Sequence, residues 1–160
     1  MIMGITGHQN ITAATRRFVA AAAMQRLTTF YDDDIVGMTC LAAGADQTLA
    51  FCVLAAGGGI NAVVPARGYR DTLTGQDQKV YDHLLALAKG VIELPNAKPS
   101  EAAYFEASRV IVDRSHLLIA VWDGQPAAGL GGTGDVVAYA KQQRVDVEVL
   151  WPPGSTRAPP

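Results

Sequence analysis

The segment Gly131-Gly132-Thr133-Gly134-Asp135 follows, after six residues, the run Leu117-Leu118-Ile119-Ala120-Val121-Trp122-Asp123-Gly124. An apolar strand leading through glycines into a helix leaves backbone N–H groups free to meet a ligand. The helix N-terminus adds partial positive charge, so a phosphate or another anion is the chemistry this turn suits. Glycine fits because a side chain would block close approach or could not adopt positive φ. A mobile surface loop without a ligand is the alternative.

Three more segments carry glycine beside polar or charged residues. In Thr6-Gly7-His8-Gln9-Asn10, Gly7 would let a ligand approach and Gln9 or Asn10 would supply amide hydrogen bonds. The competing reading is a turn with Asn10 as a helix cap. His8 is the histidine best placed for general acid–base work, since its ordinary pKa is near neutrality; His83 and His116 read as structural. In Ala43-Gly44-Ala45-Asp46, Asp46 could bind a ribose hydroxyl or a metal ion, or could simply sit in a helix's first turn where the dipole favours an acid. In Pro65-Ala66-Arg67-Gly68-Tyr69-Arg70-Asp71, Arg67 and Arg70 could clamp a phosphate or be solvated surface arginines.

These segments need a scaffold, and the rest of the chain provides one. Apolar runs at 2–6, 35–42, 60–64, 117–122 and 147–151 read as strands, with 91–94 as an edge strand because it keeps Glu93. Helices are expected over 12–30, 45–56, 75–88, 101–114 and 136–143, with Ser100 capping the fourth and Gly57-Gly58-Gly59 ending the second. Alternating strands and helices with continuous apolar strands predict a single Rossmann-like three-layer α/β domain over 1–151, with a mainly parallel sheet of about six strands. Residues 152–160 read as a disordered proline-rich tail. In such a sheet the ligand sits beyond the carboxyl ends of the strands, where all four special segments fall.

Composition narrows the field. A chain of 160 residues, 49% hydrophobic and 18% charged, can bury a core. No apolar run is long enough to span a membrane. With a net charge of −2 and scattered basic residues, nucleic acid is not expected as a partner. Cys40 and Cys52, in apolar surroundings, read as reduced buried thiols, which suits a cytoplasmic protein. The Gly131–Asp135 turn lacks a P-loop lysine, and Gly7 is not part of G-x-G-x-x-G, so neither triphosphate hydrolysis nor dinucleotide oxidoreduction is implied. No cofactor and no metal site is assigned.

Thr6-Gly7-His8, Ala43-Gly44-Ala45-Asp46 and Gly131-Gly132-Thr133-Gly134-Asp135 together resemble the superfamily joining the DNA-processing protein A fold and the lonely-guy proteins, over residues 1–151. That resemblance implies a nucleotide-type ligand, and with the loop residues read above the candidate binding set is Gly7, His8, Gln9, Asn10, Gly44, Ala45, Asp46, Arg67, Asp123, Gly124, Gly131, Gly132, Thr133 and Gly134. The region from Asp113 to Ala140 is also similar to nucleoside 2-deoxyribosyltransferases, which cut N-glycosidic bonds with a carboxylate nucleophile. Val136 stands where that family keeps its glutamate. The lonely-guy enzymes' pair of acids is reduced to Asp135, and their arginine falls on Ala107, although Glu106 matches and Arg109 is two residues away. A nucleotide or phosphoribosyl binder (a sensor, carrier or subunit) is therefore the leading expectation. The alternative is a phosphoribohydrolase or N-glycoside hydrolase or transferase using Asp135 with Arg109. Tyr104, Phe105, Val110 and Ile111 spread around the 101–114 helix, which suggests a homodimer through that helix.

Overall fold

The computed structural model describes residues 1–30 and 34–159. Strands β1 (Ile2–Gly7), β2 (Val36–Thr39), β3 (Gly59–Val64), β4 (Gly90–Glu93), β5 (Leu117–Val121) and β6 (Asp146–Val149) form one sheet in the order β4-β3-β2-β1-β5-β6. Every pairing is parallel. The helices are α1 (Ala13–Leu27), α2 (Ala45–Ala55), α3 (Gly75–Leu87), α4 (Glu101–Asp113) and α5 (Thr133–Gln142). The expected α/β class and six strands are what the chain adopts, with β4 at an edge.

Both faces of the sheet are covered, which is why its central strands are apolar throughout. Met3 and Ile5 of β1, with Leu117, Ile119 and Val121 of β5, join Val19, Leu27, Leu49 and Val53 in the core under α1 and α2. The alternate positions face the other way. Leu118 packs with Val112, Val136 and Ala140 of α4 and α5, and Met38 and Val63 pack with Ala107 and Ile111 of α4. Period-two alternation thus feeds two cores from one strand. Ser100 and Thr12 cap α4 and α1, their hydroxyls accepting from Ala103 N–H at 3.1 Å and Thr15 N–H at 3.0 Å.

Element ends differ from the sequence reading in ways that shape the site. The second strand stops at Thr39 rather than Ala42 because Leu41 takes φ 57° and its N–H turns onto the Thr39 hydroxyl at 2.9 Å. The last helix begins at Thr133, not Val136, so Thr133, Gly134 and Asp135 form its first turn. Helix α1 ends at Leu27 and runs into a 3-10 turn over Thr28–Phe30.

Strand order reverses between β1 and β5. Their register pairs Gly7 with Val121, which sets the segment after β1 beside the segment after β5. This is the switch point at which parallel α/β sheets open a crevice.

Candidate functional site

A cleft of about 560 Å³ opens there, a size suited to a small molecule. Four segments meet in it: residues 5–10 at the end of β1 and beyond it, Cys40 and Ala42 after β2 with Asp46 of α2, residues 125–134 leading from β5 into the first turn of α5, and Tyr69, Thr72 and Leu73 after β3. Helix α4 contributes Glu101, Tyr104, Ser108 and Ile111, and Arg157 reaches in from the segment after β6.

Two glycines make the meeting of these segments possible. At Gly7 an added Cβ would stand 2.5 Å from the Ala45 Cβ and 2.7 Å from the Val121 Cβ. Gly44 has φ 79°, and an added Cβ would collide with the Gln9 carbonyl. The Ala45 N–H donates to the His8 carbonyl at 3.2 Å, locking the start of α2 against the turn after β1.

His8 is 8% exposed and lies at the centre of a polar chain. Its Nε2 is 3.0 Å from Asp123 Oδ1, and its Nδ1 is 3.4 Å from the Thr133 hydroxyl. The Asp123 N–H also points at Nε2, at 3.2 Å, so both ring nitrogens are engaged by Asp123 and Thr133. Burial lowers the His8 pKa against the pull of Asp123, with the Arg157 charge lowering it further. The ring is therefore neutral at pH 7. Burial would raise the Asp123 carboxyl, but hydrogen bonds from Arg157, the Gln125 N–H and His8 outweigh it and hold that pKa at about 2. The Trp151 ring meets the His8 ring edge-on at 5.5 Å.

Asp46 behaves oppositely. It is 5% exposed, and burial lifts its pKa to about 7, even though Oδ2 accepts from the Thr39 hydroxyl at 2.8 Å and the Ala42 N–H at 3.4 Å. Burial and the Asp46 charge push the neighbouring Cys40 thiol well up, so Cys40 is not a ready nucleophile. Cys40 and Cys52 are both free thiols.

Of the residues singled out in the sequence, Gly7, His8, Gln9, Asn10, Asp46, Gly131, Gly132, Thr133 and Gly134 line the cleft. Gly44 and Ala45 lie buried behind it, and Asp123 stands behind His8. Arg67, Gly124, Arg109 and Asp135 do not line it. Arg67 is exposed and its N–H donates to the Asn96 carbonyl at 2.9 Å, while Arg70 forks onto Asp82 with two bonds of 2.6 Å. The Arg109 guanidinium lies 5.2 Å over the Tyr139 ring, and Asp135 Oδ2 accepts from the Gly131 N–H at 3.0 Å. The glycines before α5 also have a packing role: a Cβ on Gly132 would press on Ala127 Cβ at 2.8 Å, and one on Gly131 on Phe105 Cβ at 3.0 Å.

Ser108, the 125–129 loop and Arg157 were not singled out in the sequence, Tyr104 was read there only as part of a dimer face, and each reaches the cleft through tertiary packing. The stretch expected as a loose tail folds back here over residues 152–159, with Ala158 N–H donating to the Asn10 carbonyl at 2.8 Å; Pro160 lies outside the described residues. On α4, Ile111 is buried, Tyr104 is 5.8 Å from the Tyr69 ring, and Phe105 is 6.2 Å from the Tyr139 ring, so much of that helix's apolar surface is covered within the chain. Among the described residues no helix is long and apolar enough to cross a membrane.

No protein-family model matches the sequence, and no curated protein does. Solved structures do. DNA processing protein A from Streptococcus pneumoniae superposes with a TM-score of 0.67 at 16% identity, over 92% of this chain and 49% of that one. This chain therefore spans about half of that protein. DNA processing protein A from Helicobacter pylori, described by its single-stranded DNA binding mode, gives 0.70 at 14% identity, over 99% of this chain and 68% of that one. The molybdenum cofactor binding protein of Rippkaea orientalis gives 0.57 at 19%, over 92% and 74%. The expectation against nucleic acid does not survive these neighbours. A net charge of −2 describes the whole surface, not one cleft, and this fold occurs in a protein that binds single-stranded DNA. The chain shares its Rossmann-like fold with DNA processing protein A and with the molybdenum cofactor binding protein.

Proposed function

We propose that the cleft binds a nucleotide or phosphoribosyl compound, with the protein acting as a sensor, carrier or subunit. The observation that carries this reading is the convergence, in one cleft at the switch point, of the first turn of α5 with the polar segment after β1. The N–H groups of Thr133 and Gly134 are first-turn donors with no partner inside the helix, and the dipole favours an anion beside them. The phosphate would rest on Gly131, Gly132, Thr133 and Gly134. Base and ribose would lie between residues 7–10 and Asp46, against Tyr104.

The protonation states fit binding. Neutral His8 places no charge beside the ligand, and Asp46, near half-protonated at pH 7, can donate to or accept from a ribose hydroxyl or a base edge. The pair expected to carry N-glycoside cleavage, Asp135 and Arg109, does not line the cleft. Asp135 is taken up by the Gly131 N–H and Arg109 by the Tyr139 ring, and such a reaction needs a carboxylate held at the anomeric carbon. Self-association through α4 belongs to the same proposal. Light scattering giving twice 16.9 kDa supports it, and a mass of 16.9 kDa removes it.

The test is a panel of nucleoside monophosphates, cyclic nucleotides and a short oligothymidylate, each read by thermal shift and by chromatography for released base. A raised melting midpoint without released base supports a binder. The oligothymidylate arm tells whether the ligand is free or the end of a strand. Failure of every compound to move the midpoint overturns the reading.

A further inference from the structure

Among the described residues lining the cleft, Arg157 is the one arginine or lysine. It comes from the segment after β6, which is tied to the site at several points. The Ser155 N–H donates to the Pro152 carbonyl at 3.1 Å and Trp151 Nε1 to the Ser155 carbonyl at 3.2 Å, folding the segment back on itself. Beyond that turn, the Ala158 N–H donates to the Asn10 carbonyl and Asn10 Nδ2 donates to the Ala158 carbonyl, both at 2.8 Å. This reciprocal pair holds residue 157 against the segment after β1.

The guanidinium is oriented as well as anchored. Arg157 Nε donates to Asp123 Oδ2 at 2.7 Å, while Asp123 Oδ1 faces His8 Nε2 and His8 Nδ1 faces Thr133 in the first turn of α5. Asp123 does not line the cleft, so the carboxylate stands behind the guanidinium. Among the described residues the two Nη groups have no hydrogen bond, which leaves the forked edge of the side chain unused.

We infer that residues 152–159 form one wall of the ligand site and that Arg157 receives the phosphate monoester of the ligand beside the first turn of α5. This rests on the nucleotide reading above and adds the source of the positive charge. A monoester is close to doubly charged at neutral pH and matches the two Nη groups of a held guanidinium. Pre-orientation by Asp123 lowers the ordering cost of binding.

Isothermal titration of the wild type and Arg157→Gln with AMP, adenosine and inorganic phosphate tests the inference. Losing charge-assisted hydrogen bonds should weaken AMP on the order of 10- to 100-fold, with adenosine affinity unchanged and the inorganic phosphate signal lost. Equal AMP affinity in the two proteins overturns the inference and leaves the nucleotide reading standing. Loss of adenosine along with AMP also overturns it, since Arg157 would then be shaping the cleft. If the wild type binds inorganic phosphate but not AMP and the variant binds neither, the nucleotide reading falls and the role of Arg157 stands. A wild type that binds none of the three overturns both.

Discussion

Replacing Asp46 with Asn should remove a pH dependence that this buried carboxyl imposes on folding. Burial raises its pKa from 3.8 to about 7, outweighing the hydrogen bonds from Thr39 and Ala42. Between those two values the folded protein holds a proton that the unfolded chain has released. Stability therefore falls as pH rises through this window and levels off above about pH 7. From pH 5 to pH 8 the carboxyl should cost the wild type about 3 kcal/mol, at ~1.4 kcal/mol per pH unit over the part of the window crossed. His8 works in the opposite direction, because its lowered pKa removes stability as pH falls below its ordinary value. That contribution is common to both proteins, so the wild-type minus Asp46→Asn difference isolates Asp46. Urea denaturation midpoints at pH 5, 6, 7 and 8 provide the assay. The two stability curves should converge toward acid and separate toward alkali, with the wild type losing more. Parallel curves would refute the reasoning.

Other substitutions follow from the same geometry. Gly44→Ala should destabilise the fold by about 1 kcal/mol or more, because it needs a left-handed φ and a methyl in the space of the Gln9 carbonyl; a lowered urea midpoint checks this. Asp135→Asn should cost no more than about 1 kcal/mol through the weakened bond to the Gly131 N–H and the lost charge at the start of α5. AMP binding should survive it, as calorimetry can show; a release of base that disappears in this variant would support the hydrolase instead.

The fold was legible because its signals are local. Continuous apolar runs such as Leu117–Val121, broken by glycine, imply a parallel sheet with both faces covered, and the Glu93-bearing strand does lie at the edge. The site was legible where a residue lies at a strand's carboxyl end or opens the next helix, as Gly7, His8 and Asp46 do. It was less legible where position depends on packing. Arg67 follows β3 as directly, yet its backbone is drawn to Asn96 and its side chain stays in solvent. Arg157 carries no local signal, since Pro152-Pro153-Gly154 reads as a loose tail until Trp151 meets His8 and Ala158 meets Asn10. Net charge misled for a related reason: a sum over the chain says nothing about where one arginine is held.

Amide chemical-shift mapping of the isotope-labelled wild type during an AMP titration tests the central claim most directly. The account predicts saturable shifts concentrated on Gly7, Gln9, Gly132, Thr133 and Gly134. No shifts at millimolar AMP, or shifts confined to the opposite edge of the sheet, would contradict it.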